Sequence, residues 1–206
     1  MSTSVDFDDN SRMTDTTPRR RDATATRRAI LTSAREAFAE MGYDGAGVRE
    51  IAARAGVTAM LVNRYFGSKE NLFAEAVAEG MARTAVVLPK ILSSGATGEE
   101  IAKTLLGITG ASDTPMEGFQ ILLRSASSRR AAEISRELIE RHQQKAIATA
   151  LGGDLAAQRA ALMLSLIAGV QLMRQMIALP ALADSKSKSV VRTLAPLFQM
   201  LIDGNA

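Results

Sequence analysis

The sequence has no cysteine among its 206 residues and only one histidine. Without cysteine there can be no disulfide framework, no thiolate metal site and no cysteine nucleophile. The single histidine, His142, lies in a charged stretch, which predicts an exposed side chain, and a zinc site would need further ligands. The sequence contains neither a phosphate-binding loop nor a cluster of carboxylates. We therefore expect no catalytic residues, no metal and no cofactor.

The sequence also lacks any alternating apolar and polar pattern long enough to predict a β-strand. From Thr24 onward apolar residues instead recur at helical spacing, and 47% of all residues are hydrophobic, as in an ordinary globular protein. We predict an all-α fold of about nine helices, one of them running from about Arg129 to Leu151. Capping boxes at Thr97-Gly-Glu-Glu100 and Thr114-Pro-Met-Glu117 predict two helix starts, and Asp154 is predicted to cap a later helix.

The N-terminus is polar and has no apolar segment of the kind found in secretory signals, so we expect a cytoplasmic protein. Residues 1–22 are rich in Asp, Ser, Thr and Arg and are predicted to form a disordered arm. Met13 is an alternative start to Met1. Three consecutive arginines, Arg19-Arg20-Arg21, fit either a basic arm that follows DNA or a solvated tail.

The positive charge of the chain is concentrated in one segment. The net charge is −3 over residues 1–17, +4 over residues 18–72 and +2 over the remainder. A local excess of Lys and Arg favours binding to phosphates, although many domains with no such partner carry a similar excess. The charge pattern therefore supports a nucleic-acid partner without establishing one.

Two short helices joined by a tight turn are predicted between Val48 and Phe66. The small side chain of Ala52 lets the second helix cross the first closely, and Gly56 can take a positive φ in the turn. This pattern is typical of a helix-turn-helix, which leaves one face of its second helix free to enter a major groove. The chain is therefore predicted to bind double-stranded DNA. The apolar positions that hold the two helices together are Ile51, Ala55, Val57, Val62 and Tyr65.

Six short motifs occur between Arg28 and Val77: Ala34-x-x-x-Phe38, Gly42-Tyr43, Val48-x-x-Ile51-Ala52, Ala55-Gly56-Val57, Arg64-Tyr65-Phe66 and Ser68-Lys69-Glu70-x-Leu72. In this order and spacing they resemble the DNA-binding domain of the TetR family of bacterial transcriptional regulators. The rest of the chain resembles the helical C-terminal domain of that family more loosely. The resemblance implies a homodimeric all-α regulator, usually a repressor, that a small-molecule inducer releases from its operator.

The resemblance predicts two domains, a three-helix helix-turn-helix domain over residues 23–72 and a helical ligand-binding and dimerisation domain over residues 73–206. The chain departs from the family pattern at three places, one of which is Met60-Leu61, where smaller or hydroxylated residues are common. Ala46-Gly47 replaces the Thr or Ser that many relatives have before the first motif helix, so a hydroxyl cap is missing there. Val62-Asn63 replaces a Leu-Tyr pair in the second motif helix, so the operator bases cannot be transferred from any relative.

The residues predicted to meet DNA lie on the second motif helix and just after it. Asn63 can pair with adenine, Arg64 with guanine, and Met60 can contact a thymine methyl group. The alternative is that Asn63 and Arg64 contact only phosphates. Lys69, at the start of the next helix, is predicted to bind phosphate. The complete predicted set is Thr58, Ala59, Met60, Asn63, Arg64, Tyr65 and Lys69.

The stretch from Ala160 to Leu179 is apolar almost all the way round a helix. Arg174, two glutamines and the amphipathic helices on either side argue against a membrane span. Such a helix must instead be covered on all sides, by the core of its own domain and by a second chain. Ala161, Ser165 and Gly169 recur at intervals of four and form the predicted dimer interface. The alternative is that this strip packs against the last helix of its own chain.

An inducer pocket is predicted among the helices of the C-terminal domain, because a helical bundle can enclose an apolar cavity. Few aromatic residues are available there, which favours an aliphatic or mixed ligand. Methionine can line an adaptable pocket, although filling of the core is the other interpretation of these methionines. The candidate lining residues are Phe73, Met81, Leu105, Phe119, Leu123 and Met163.

Two other functions were compared with ligand-responsive regulation. A non-regulatory, architectural DNA-binding protein would leave about 130 residues of mostly uncharged helical domain without a task. An all-α enzyme would need catalytic residues, and this sequence offers almost none. We therefore predict a ligand-responsive DNA-binding transcriptional regulator that acts as a repressor.

Overall fold

The computed structural model describes residues 17–109, 117–183 and 188–204 of the chain. These ranges contain eleven α-helices and no β-strand, which confirms the predicted all-α fold. Two π turns widen the helical segments, at Glu140–Gln144 between α7 and α8 and at Leu172–Met176 after α9. The helices are α1 (Thr17–Gly45), α2 (Val48–Arg54), α3 (Ala59–Phe66), α4 (Lys69–Ser93), α5 (Gly98–Ile108), α6 (Glu117–Ser125), α7 (Arg129–Ile139), α8 (Lys145–Leu151), α9 (Ala156–Gln171), α10 (Pro180–Ala183) and α11 (Lys188–Asp203).

The number of helices exceeds the expected nine for two local reasons. The single helix predicted from Arg129 to Leu151 is continuous, but the π turn within it separates α7 from α8. The short α10 adds one further turn beginning at Pro180. The helical plan of the sequence is therefore retained, with one widened helix and one added turn.

The ends of the helices follow local sequence signals at most places but not at Asp154. The capping box at the start of α5 is present, with the Thr97 N–H donating to Glu100 Oε2 at 2.7 Å, and this hydrogen bond lowers the pKa of Glu100. The prediction that Asp154 caps α9 was wrong. Leu155 occupies the cap position with a left-handed φ of 52°, and no side chain caps the helix there. The backbone carbonyl of Asp154 accepts a hydrogen bond from Arg159 instead.

Several predictions at the N-terminus and in the loops fall partly outside the described residues. α1 begins at Thr17, so residues 17–22 of the predicted arm are helical. Residues 1–16, the side chains of Arg19-Arg20-Arg21 and the capping box that begins at Thr114 lie outside what the structure describes. α6 is described from Glu117 onward.

Two hydrophobic cores lie on either side of the middle of α4. The first joins α1, α2, α3, the start of α4, α6 and α7. Within it, the centre of the Phe73 ring lies 5.1 Å from the centre of the Phe38 ring and 5.0 Å from the centre of the Tyr43 ring. The second joins the end of α4 to α5, α8, α9 and α11. The predicted boundary between residues 72 and 73 therefore falls inside a helix that belongs to both cores.

Helix α9 with its π turn, Ala156–Met176, is the one stretch in the described part of the chain that is long and apolar enough to cross a membrane. Its two arginines are buried and bind backbone carbonyls of other elements. Arg174 donates to the carbonyls of Leu106 and Thr109 at the end of α5. These hydrogen bonds make the helix a packed element of this bundle, in agreement with the expectation that it does not span a membrane.

The Arg159 side chain caps the C-terminal ends of two helices, α8 and α11. Its guanidinium donates to the Gly152 carbonyl after α8, to the Asp154 carbonyl, and to the carbonyls of Leu201 and Ile202 in the last turn of α11. The residue is only 8% exposed. Because carbonyls at a helix C-terminus have no partner within the helix, this arginine replaces the missing donors at two ends.

We predict that Arg159→Ala lowers the free energy of unfolding by about 2–4 kcal/mol, because several partly buried carbonyls lose their donor together. The matched control is Arg192→Ala, an exposed arginine of α11, which should change stability by no more than about 0.5 kcal/mol. Urea denaturation of both variants and the wild type at one protein concentration measures the difference. An Arg159→Ala variant as stable as the control would mean that water satisfies these carbonyls equally well.

Candidate functional site

Helices α2 and α3 form a helix-turn-helix with the turn that the sequence predicts. Gly56 has a φ of +67° between the two helices, and the Val57 N–H donates to the Ala52 carbonyl at 2.9 Å. The N-cap of α2 is Gly47, which provides no side-chain cap, as expected from the missing hydroxyl. A positive φ is accessible to glycine without a Cβ penalty, so Gly56 allows the steep crossing of the two helices.

Helix α3 has one buried face and one free face. Val62 and Phe66 are buried in the first core. Met60, Asn63 and Arg64 are exposed, Met60 by 79%. Side chains on such a face are free to reach base edges in a major groove. Together with Thr58, the exposed N-cap residue of α3, these three form the exposed part of the predicted DNA-binding set.

The other predicted residues of this region also make contacts within the chain. The Thr58 hydroxyl caps α3 by accepting from the Leu61 N–H at 3.3 Å. Ala59 and Tyr65 are partly buried against the first core. The caps and core contacts of these residues fix the position of α3, while their exposed edges remain beside its free face.

Lys69 lies in the first turn of α4, where its ammonium group is held against an aromatic ring. The Nζ atom lies 4.6 Å from the centre of the Tyr43 ring, within the range of a cation–π contact. Burial raises the pKa of Tyr43, so the ring carries its proton at neutral pH. The Ser68 hydroxyl caps the same helix by accepting from the Asn71 N–H at 3.1 Å. The lysine is thus positioned beside a helix N-terminus, an environment that favours anions.

The basic side chains that the structure describes in the first 72 positions divide into two groups. Arg27, Arg35 and Arg54 form ion pairs with glutamates of the chain, and Arg27 also lies 4.8 Å from the centre of the Phe66 ring. A second group forms no ion pair with any residue that the structure describes, and its positive charge is available to phosphates. This group consists of Arg28, Arg49, Arg64 and Lys69.

Sequence reasoning did not single out Arg28 and Arg49 as possible phosphate contacts. Arg49 is exposed on α2, two residues before the buried Ile51. Positions two apart on a helix point in different directions, so the helical period of α2 would have indicated that Arg49 faces away from the core.

Helix α6 packs against α1, the helix that precedes the helix-turn-helix. At its end the Ser125 hydroxyl accepts from the Tyr43 N–H at 3.0 Å, and near its start Glu117 pairs with Arg35 of α1. The backbone of α6 also approaches that of α4 very closely, since a Cβ added at Gly80 would lie 2.6 Å from the Gly118 Cα. A shift of α6 relative to α4 would therefore change the contacts that α6 makes with α1.

A cavity of about 330 Å³ lies directly beside this close approach, between α4, α6, the π turn at Glu140–Gln144 and α9. Its volume falls at the lower end of the usual range for small-molecule sites. The walls are mainly apolar, with three glutamines and one serine, and no lining residue among those described carries a charge. The larger apolar side chains of the lining are Met81, Phe119, Leu122, Ile139, Leu164 and Ile167.

Of the six residues predicted to line a pocket, Met81 and Phe119 border this cavity and the other four lie elsewhere. Phe73 is buried in the first core, whereas Leu105 and Met163 are buried in the second. Leu123 is 38% exposed on α6. An apolar helical face has the same pattern whether it packs solidly or borders a cavity, so the sequence could not separate the two.

The glutamines of the cavity were not predicted as site residues. Gln143 and Gln171 are 5% and 3% exposed. Within the described part of the chain, the Nε2 atom of Gln171 has no hydrogen-bond partner. Gln144 donates to the Ala157 carbonyl at 3.0 Å. The available signal was the position of Gln171 as one of the few polar residues in an otherwise apolar helix.

The three residues of the predicted dimer strip are exposed on α9. A Cβ added at Gly169 would meet nothing within 4 Å, so the strip does not pack tightly within its own chain at this position. Ala161 and Ser165 also border the cavity. Further exposed apolar side chains on α9, on the π turn that follows it and on α11 are Leu162, Met173, Leu197 and Met200.

Two family models match this chain. The model described as "Bacterial regulatory proteins, tetR family" matches residues 30–76, and the model described as "Tetracyclin repressor-like, C-terminal domain" matches residues 96–202, more than half of the chain. Over 65 residues the chain is 43% identical to the HTH-type transcriptional repressor AcnR of Corynebacterium glutamicum. That match covers 32% of this chain and 35% of AcnR, so the chain spans about a third of the length of the curated relatives that it matches.

Solved structures share the fold over most of the chain. A TetR-family regulator from Streptomyces coelicolor is 27% identical, with a TM-score of 0.51, and the match covers 87% of this chain and 96% of that one. A transcriptional regulator from Rhodococcus sp. Rha1 is 24% identical, with a TM-score of 0.60 and coverage of 86% and 96%. With the helix-turn-helix geometry and the two family matches, these likenesses lead to one conclusion. The chain belongs to the TetR family of bacterial transcriptional regulators, whose members bind DNA and are not enzymes.

Proposed function

We propose that this protein is a cytoplasmic repressor that binds a palindromic operator as a homodimer and is released when a small molecule fills the cavity. The observation that carries the proposal is the free face of α3, where Met60, Asn63 and Arg64 are exposed above a buried apolar face. The AcnR relative is a transcriptional repressor by name, which supports the same role here.

Release of the operator follows from the position of the cavity beside α6. A ligand in the cavity contacts Met81 of α4 and Phe119 of α6, which directly follow the closely approaching Gly80 and Gly118. A displaced α6 acts on α1 through the Ser125 hydroxyl and through Glu117. In a dimer this shift changes the distance between the two copies of α3. The ligand favours the arrangement in which the cavity is open, whereas DNA favours the arrangement in which the two copies of α3 fit the operator. Binding of the ligand therefore weakens binding of DNA, and binding of DNA weakens binding of the ligand to the same extent.

Base contacts and phosphate contacts lead to different predictions for Arg64 and Lys69. If Arg64 reads a base, Arg64→Ala should weaken operator binding by about 1–3 kcal/mol and relax the preference at one position in each half-site. If Lys69 binds phosphate, Lys69→Ala should weaken binding to operator and random DNA alike and reduce the salt slope by about one unit. Fluorescence anisotropy with both DNAs at several salt concentrations measures these effects.

The control for these variants is Arg192→Ala, since Arg192 lies on α11, far along the chain from the helix-turn-helix. Thermal unfolding of Lys69→Ala checks that loss of the contact with the Tyr43 ring leaves the fold intact. Equal losses on operator and random DNA for Arg64→Ala would remove this arginine from the base-reading set.

The dimer is proposed to form along Ala161, Ser165 and Gly169 on α9, with the exposed apolar side chains of α9 and α11 around them. Small residues at these positions let two backbones approach closely. The Ser165 hydroxyl donates to the Ala161 carbonyl at 2.9 Å, so it is satisfied within its own helix and needs no partner across an interface. The remaining surface of the strip is apolar and exposed in the single chain, which supports a second copy as its cover.

We predict that Gly169→Leu is a folded monomer that no longer protects the operator. Leucine improves the helix propensity of this position, and an added Cβ has open space in the single chain. In a two-fold interface, however, overpacking would act twice, at about 1–3 kcal/mol per site. Sedimentation and circular dichroism, with footprinting on the DNA around the gene of this protein, compare the variant with the wild type.

The wild type should protect an inverted repeat, because a two-fold dimer presents two copies of α3 related by its axis. The matched control is Gly107→Leu, at a glycine of α5 that likewise has open space, and it should behave as the wild type. A single unrepeated protected element, or diffuse coverage as from an architectural protein, would contradict the proposed function. A dimeric Gly169→Leu would place the interface elsewhere.

A further inference from the structure

The charge of the cavity lining limits the kind of molecule that it can hold. The described residues that border the cavity include no Asp, Glu, Lys, Arg or His. An ionised carboxylate, phosphate or ammonium group is strongly disfavoured in an apolar site that offers no opposite charge. The part of a ligand that contacts only these residues is therefore uncharged.

One polar group of the lining points to a specific feature of the ligand. Gln171 is 3% exposed, borders the cavity, and its Nε2 atom has no hydrogen-bond partner within the residues that the structure describes. A buried donor without a partner is unfavourable and needs an acceptor to compensate for the lost water. A ligand that places an acceptor, such as an oxygen atom, against this amide would compensate for that loss.

The backbone around the two buried glutamines supports a binding role for them. Gln143 lies within the π turn at Glu140–Gln144, and Gln171 directly precedes the π turn at Leu172–Met176. A π turn widens a helix by one residue and is frequent at functional sites. Two separate helices are thus widened where each carries a buried amide that borders the same cavity.

The remaining surface of the cavity determines the body of the ligand. It is formed mainly by aliphatic side chains together with Met81 and a single aromatic ring, Phe119. A volume of about 330 Å³ excludes large multi-ring molecules. The lining therefore fits a small aliphatic chain better than a stacked aromatic system.

We infer that the cavity binds a small, uncharged, largely aliphatic molecule with a carbonyl oxygen, such as an ester, ketone or amide, and that this oxygen accepts a hydrogen bond from Gln171 Nε2. The inference rests on the proposed function only in taking this molecule as the inducer. The binding of such a molecule is a separate property that can be measured without DNA.

The test uses the whole 206-residue chain and three probes of similar size. They are methyl hexanoate, the anion of its isomer heptanoic acid, and the cation heptylammonium. Isothermal titration calorimetry is carried out at probe concentrations up to about 1 mM, a range that detects weak complexes. Methyl hexanoate should bind once per chain, and the two ions should bind at least about tenfold more weakly because they lose hydration without gaining a partner.

The variant Gln171→Leu removes the amide and should weaken binding of methyl hexanoate roughly tenfold, the usual effect of one lost hydrogen bond to a buried donor. The matched control is Gln175→Leu. Gln175 lies on the same helical segment, and its buried amide atoms have no hydrogen-bond partner among the described residues, but it does not border the cavity. Its loss should leave the affinity for methyl hexanoate unchanged. Thermal unfolding checks that both variants are folded.

The inference is overturned if no binding of methyl hexanoate is detected, if either ion binds as tightly as the ester, or if Gln171→Leu binds the ester as well as the wild type does. A separate measurement keeps the proposed function distinct. If methyl hexanoate binds through Gln171 but leaves operator affinity unchanged, the ligand class holds and the inducer role of the cavity is contradicted. If operator binding fails while the probe results are as expected, only the proposed function is overturned.

Discussion

The close backbone contact between α4 and α6 at Gly80 and Gly118 fixes the spacing of these two helices. A Cβ at Gly118 would lie 2.6 Å from the Gly80 carbonyl carbon, so only glycine permits this approach. Glycine within a helix lowers helix stability by roughly 0.5–1 kcal/mol relative to alanine, and here the loss accompanies tight packing of two helices. The next residues along the two helices, Met81 and Phe119, border the cavity. One contact thus sets both the helix packing and one wall of the cavity.

The same position of α6 orients the DNA-binding helices. The Tyr43 N–H, just after the kink at Gly42, is satisfied by Ser125 of α6, and the Ser128 hydroxyl donates to Asp44 at 3.0 Å. A Cβ at Gly42 would lie 2.5 Å from the Arg124 carbonyl oxygen, so the end of α1 is also held by a backbone contact. Tyr43 in turn supports Lys69 at the start of α4. The cavity and the helix-turn-helix are therefore joined by short, specific contacts rather than by a loose linker.

Local sequence patterns were sufficient to predict the helix-turn-helix. They failed where contacts between residues far apart in the chain determine the structure. The turn at Gly56, the buried Val62 and the capping box at Thr97 each depend on neighbours in sequence, and each was predicted. The cap at Asp154 was not, because Arg159 binds that carbonyl together with the end of α11 and Leu155 takes the cap position. The cavity depends on how α4, α6, the π turn at Glu140–Gln144 and α9 are placed relative to one another, and helical periodicity alone does not contain this information.

If the contact between α4 and α6 holds the two copies of α3 in the arrangement that binds DNA, a substitution at this contact should weaken operator binding. The most direct test is the operator affinity of Gly118→Ala, measured beside Gly107→Ala, whose added methyl group has open space on α5. The account predicts that Gly107→Ala binds operator as the wild type does. Gly118→Ala should bind at least about tenfold more weakly while it remains helical and dimeric, because a shift of α6 moves α1 and with it α3. A folded Gly118→Ala dimer with wild-type operator affinity would contradict the account.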